Sequence, residues 1–86
     1  MKVLYFAWLR DKAGVAEEEV SPPADVRTVA ELARWLASRS AGHAEALGDL
    51  AVVRCAVDQD YAQPEDPVAG AAEVAFFPPV TGGQEP

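Results

Sequence analysis

The chain has 86 residues, half of them hydrophobic, which fits one small domain with a single core and leaves no room for two. Fourteen acidic against seven basic residues give a formal net charge of −7; that argues against a nucleic-acid binder, which needs Lys and Arg to neutralise phosphates, and suits steered docking to a basic protein. One cysteine, Cys55, excludes an internal disulfide, no apolar run reaches the length of a membrane span, and residues 1–6 are too short and too lightly charged for a secretory signal, so a cytoplasmic protein is expected.

Residues 2–7 predict the first strand. Val3, Tyr5 and Ala7 fall on one face and Leu4 and Phe6 on the other, so the strand should be covered on both sides or lie in the middle of a sheet. Residues 8–14 predict a short helical turn closed by Gly14. Residues 15–20 carry Glu17, Glu18 and Glu19 between two valines and read as a solvated edge strand, antiparallel to the first, whose charge discourages unwanted pairing. Residues 21–25, Ser-Pro-Pro-Ala-Asp, are loop by composition.

Thr28 opens the best-specified element. Thr28 and Glu31 have capping-box spacing, and Val29, Leu32, Ala33 and Leu36 recur on one helical face. Trp35 flanks that stripe, Arg39 falls in the last turn, and Gly42 is the expected stop. Residues 43–50 are ambiguous, with His43 expected at the surface near a helix end. Residues 51–57 predict a strand with Val53, Cys55 and Val57 on one face. Asp58-Gln59-Asp60 predicts a turn, Tyr61-Ala62 a brief extended piece, and residues 64–67 a loop. The last strand runs over residues 73–77, with Val74 and Phe76 facing one way and Ala75 and Phe77 the other.

This order predicts an α+β fold: a mixed sheet with one main helix across one face. The first and last strands carry the most apolar residues and are expected side by side in the centre, parallel to each other. Val3, Tyr5, Val53, Cys55, Val57, Val74 and Phe76 then point at the helix. Leu4, Phe6 and Phe77 fall on the opposite face. Either that face is a partner surface, which Tyr61 could join, or the loop over residues 64–71 folds across it.

Side-chain chemistry is sparse. The lone His and lone Cys are far apart and make no metal-ligand set. Cys55 sits mid-strand among valines as an inert thiol, and no glycine loop that could cradle phosphate is present. The tail is more telling. The strand ends at Phe77 because Pro78 and Pro79 cannot donate to a sheet. Val80 and Thr81 lead to Gly82 and Gly83, which add no bulk and accept almost any backbone shape. Residues 1–77 thus form the body and 78–86 a flexible tail. A thin end of this kind can thread a narrow channel and present the main-chain carboxyl of Gly83.

Val3-Leu4-Tyr5-Phe6-Ala7, then Arg10 and Gly14, and finally Phe76-Phe77-Pro78-Pro79-Val80-Thr81-Gly82-Gly83 resemble the small subunit of molybdopterin synthase over nearly the whole chain. The resemblance implies a ubiquitin-like β-grasp fold and a sulfur carrier. It implies that an adenylyltransferase similar to ubiquitin-activating enzymes uses ATP to adenylate the Gly83 carboxylate. A sulfur donor then makes the thiocarboxylate, and the tail enters the large subunit to build the dithiolene of molybdopterin. The small subunit is then a non-catalytic sulfur donor with no bound cofactor, and the catalytic side chains belong to the large subunit. Phe6, Phe77 and Tyr61, with Pro78, Pro79 and Val80, match positions that meet the large subunit. The sequence continues past Gly83 with Gln84-Glu85-Pro86, so a peptidase is expected to remove these three first. The alternatives are a carrier for another sulfur pathway such as thiamine or cysteine, a ubiquitin-like modifier joined to lysines through Gly83, or a noncovalent binding module.

Overall fold

The computed structural model describes residues 1–79. The elements in chain order are β1 (Lys2–Tyr5), α1 (Trp8–Ala13), β2 (Glu17–Glu19), α2 (Val29–Ala37), α3 (Ala41–Leu47), a 3-10 turn (Leu50–Val52), β3 (Arg54–Val57), β4 (Asp60–Ala62) and β5 (Glu73–Phe77). The strands form one mixed sheet in the order β2-β1-β5-β3-β4. β1 and β5 pair in parallel at its centre, and every other pairing is antiparallel.

The core lies between one face of this sheet and the helices. Val3, Tyr5, Val74 and Phe76 project from β1 and β5 and are almost completely buried, and Cys55 joins them from β3. They meet Val29, Leu32, Ala33 and Leu36, the expected face of α2. Each large side chain buried here stabilises the fold by roughly 1.5–3 kcal/mol. The α2 start is fixed locally: Thr28 Oγ1 accepts from Glu31 N–H, and Glu31 Oε1 accepts from the N–H groups of Thr28 and Arg27. The next unpaired donors of the first turn, Val29 N–H and Ala30 N–H, are taken by the carbonyls of Asp66 and Pro64. Loop 64–71 therefore packs against the start of α2 and drops Val68 into the core. It does not cross the opposite face of the sheet.

Several sequence expectations shift. β1 stops at Tyr5 rather than Ala7, because Ala7 takes a φ of 57° and swings the chain into α1. The strand does lie inside the sheet, but only its Val3 and Tyr5 side is sealed. Gly14 closes α1 as expected, at φ 85°. Gly42 does not stop a helix: α2 ends at Ala37, with Ser38 N–H bonded to the Arg34 carbonyl. Gly42 lies inside α3, where a Cβ would come within 2.3 Å of the Lys12 carbonyl oxygen. The missing side chain lets α3 lie tight against α1. β3 begins at Arg54 rather than Ala51, because Asp49 accepts from Ala51 N–H and winds 50–52 into the 3-10 turn.

His43 is a correction of a different kind. It was expected at the surface and is buried, 8% exposed. Ser40 caps α3 and fixes the ring, which Tyr5 meets edge-on. His43 Nε2 lies 2.8 Å from Glu18 Oε2, and Tyr5 Oη donates to the same oxygen at 2.7 Å. Ser40 Oγ closes the chain 2.7 Å from His43 Nδ1. Glu18 is therefore not part of a solvated strand face. Between Glu17 and Glu19 the pleat turns it inward, and its charge finds two partners.

Candidate functional site

The opposite face of the sheet is built in rows by the strand register. One row reads Glu17, Leu4, Ala75, Ala56, Tyr61 from β2 to β4. Toward the start of β1, Lys2 stands in register between Glu19 and Glu73. At the other end, where β5 leaves the sheet, Phe77 stands opposite Arg54. Phe6 follows β1 at the same level, its N–H bonded to the Phe76 carbonyl. No described element covers this face.

The aromatic residues gather at the end from which the tail departs. Phe6 is 49% exposed and Tyr61 82% exposed. Phe77 is half-buried, with its ring 5.9 Å from that of Tyr61 and tilted to it. Pro78 and Pro79 are half-buried and outside the strand, consistent with their inability to extend the ladder. Phe6, Tyr61, Phe77, Pro78 and Pro79 are thus brought to one end of the sheet. Val80, Thr81, Gly82 and Gly83, and with them all of the expected tail beyond Pro79, lie outside the described residues.

Two features here escaped sequence reasoning. Arg54 lies beside Phe77, Tyr61 and Gln63 around a shallow cavity of about 380 Å³. The signal for it was alternation: with Val53 and Cys55 inward, Arg54 must face outward. The second is a bond made by Asp58 at the other end of the sheet. It and Gln59 take positive φ in the expected turn between β3 and β4. Asp58 Oδ1 accepts from the N–H groups of Ala72 and Glu73 and so ties that turn to the start of β5.

Three inward-facing groups have shifted pKa values. Burial, with the nearby Asp66 carboxylate adding to it, pushes the Cys55 thiol up to about 12, so it stays protonated and unreactive at neutral pH. Burial and the Glu18 carboxylate push the Tyr5 phenol well above its ordinary value. Burial alone would raise Glu18, but hydrogen bonds from Tyr5 and His43 and the Arg39 charge outweigh it and hold the carboxyl below the usual range. Tyr5, Glu18 and His43 are mutually satisfied structural partners. Among the described residues no group of three His, Cys, Asp or Glu side chains could hold a metal ion. No described helix is long and apolar enough to cross a membrane.

A mixed five-stranded sheet in this order, with helices on one face and a tail leaving the central strand, defines a ubiquitin-like β-grasp protein. Within that class the chain belongs to the ThiS family, whose model matches residues 3–83. It is 42% identical over 83 residues to the molybdopterin synthase sulfur carrier subunit of Escherichia coli K12, covering 96% of this chain and 99% of that protein. Among solved structures, the putative molybdopterin converting factor subunit 1 of Pyrococcus furiosus superposes with a TM-score of 0.67 at 26% identity, covering 92% of this chain and 95% of that one. SAMP1 of Haloferax volcanii gives a TM-score of 0.65 at 22% identity, covering 96% and 98% respectively, and shares the fold.

Proposed function

We infer that this protein is the sulfur carrier subunit of molybdopterin synthase. The observation that carries the reading is the 42% identity, along essentially the whole of both chains, to a subunit of that name. The architecture supports it: the central strand hands the chain to Pro78-Pro79 beside an uncovered aromatic end, and the family match runs through Gly82-Gly83.

The working atom is the main-chain acyl carbon of Gly83. As a carboxylate it is a poor electrophile. Attack of the carboxylate on ATP gives an acyl-adenylate and releases pyrophosphate. A sulfur nucleophile at the oxidation level of sulfide then attacks the acyl carbon, AMP leaves, and a thiocarboxylate remains. Sulfur passes to the pterin precursor inside the large subunit, and water restores the carboxylate. An adenylyltransferase supplies the first step, and Gly82 and Gly83 let its site close tightly around the backbone. A peptidase that cuts after Gly83 exposes the carboxylate, because Gln84 otherwise holds that carbonyl as an amide. Phe6, Tyr61 and Phe77, with Pro78, Pro79 and Val80, are the surface on which the large subunit docks. ATP-dependent activation and a protonated, unpaired Cys55 suit the cytoplasm.

The test is purification from the native host, followed by intact-mass analysis and identification of bound proteins. The expected result is a chain ending at Gly83, part of it carrying sulfur in place of one carboxyl oxygen, in complex with a molybdopterin synthase large subunit. Isopeptide adducts on lysines without any thiocarboxylate would overturn the reading in favour of a protein modifier.

A further inference from the structure

Arg54 is a charge at the apolar end of the open face. It stands in register with Phe77, and it lines the shallow cavity with Tyr61, Ala62 and Gln63. Among the described residues its guanidinium forms neither an ion pair nor a hydrogen bond. Nor is it seated on an aromatic ring: the one such pairing among the described residues is Arg39 over Trp35, at 5.0 Å. Lys2, the other cation on this face, is different, since Glu19 and Glu73 flank it in register. The face is therefore polarised. One end is aromatic, with a positive charge that no described residue compensates, and the other carries Glu19 and Glu73 on either side of a single lysine.

A protein that covers Phe6, Tyr61 and Phe77 must also cover Arg54. Stripping water from an unpaired guanidinium is costly unless a carboxylate replaces it, and arginine's planar fork accepts such a partner in two parallel hydrogen bonds. We propose that Arg54 is a specificity-determining residue of the docking face and pairs with a carboxylate on the molybdopterin synthase large subunit. That carboxylate lies beside the entrance through which the tail passes, while the acidic end of the face meets a neutral or basic surface. The carrier is strongly acidic as a whole, so this local inversion of charge sets the direction in which the two proteins meet. The inference rests on the carrier reading given above.

The experiment is calorimetric titration of the full chain, and of three variants, with the large subunit from the same organism. Arg54→Met keeps the apolar stem and removes the charge; it should weaken binding about 30-fold or more, because the partner's carboxylate is left buried and unpaired. Arg54→Lys should fall between Met and the native residue, and Arg54→Glu should weaken binding beyond detection. All three should keep the native thermal midpoint, as Arg54 is exposed and has no partner among the described residues. Reversing one acidic residue of the large subunit to Arg should restore binding to the Arg54→Glu chain. Native-strength binding by Arg54→Met, or failure of every acidic reversal to rescue Arg54→Glu, overturns the pairing and leaves the carrier reading intact. Failure of the unmodified chain to bind the large subunit at all overturns both.

Discussion

The two faces of the central sheet are made by the same strands and have opposite fates. On the helix side, Tyr5, Phe76 and Cys55 lie in one register row, and the polar groups there close on one another through Glu18, His43 and Ser40. On the other side, one residue along each strand, Phe6, Phe77 and Tyr61 remain uncovered by any described element and Arg54 has no ion-pair partner among the described residues. On the inward face Tyr5, Glu18, His43 and Ser40 satisfy one another within the chain. The outward face is left open by the described elements and, in the proposed reading, is where a partner docks. Stability and recognition are thus separated by the two-residue repeat of a β-strand.

The neighbours Phe76 and Phe77 give the largest test of this separation. Phe76→Ala should cost about 3–5 kcal/mol, enough to unfold much of a small domain, as read by thermal or urea denaturation. Phe77→Asp should leave the melting curve nearly unchanged and weaken binding to the large subunit by two orders of magnitude or more. Equal losses of stability from both would erase the division.

Next in size is Gly42→Ala. The added Cβ must displace α3 from the Lys12 carbonyl, for an expected cost of about 1–3 kcal/mol with docking unaffected. Thr28→Ala should remove one half of the capping box and cost about 1 kcal/mol, again without effect on docking.

The smallest effect concerns acid. Glu18 has a folded-state pKa held below its unfolded value. Its contribution to stability is therefore complete above the ordinary carboxylate range and is lost as pH falls through that range to the lower folded-state value. Stability followed by urea denaturation should decline over that interval, and Glu18→Gln should flatten the decline. An unchanged slope in Glu18→Gln would assign the acid sensitivity to other carboxylates.

What was legible in the sequence follows from how local each cause is. The α2 start was readable because Thr28 and Glu31 specify each other within four residues. The parallel pairing of the first and last strands was readable because their runs are the most apolar in the chain. Alternation put Phe6 and Phe77 on the face away from the helix; that loop 64–71 leaves this face open follows from its bonds to the start of α2. His43 and Gly42 were misread because their reasons are distant in sequence: His43 is held by Glu18, twenty-five residues away, and Gly42 by the backbone of α1. The first residues of the expected third strand were lost to the Asp49 side chain, which offers the backbone a tighter local alternative. Arg54 was passed over because an outward arginine on a strand is ordinary; its isolation shows only once the neighbouring strands are in place.

The placement of β5 also has a mechanical consequence. A partner that grips the tail pulls on the strand flanked by β1 on one side and β3 on the other. Force directed along β5 loads both ladders in shear, so their hydrogen bonds share the tension and must rupture together. A tail attached to an edge strand pulled sideways would peel away one bond at a time. A partner can therefore draw on the end of the chain without the pulling unravelling its body.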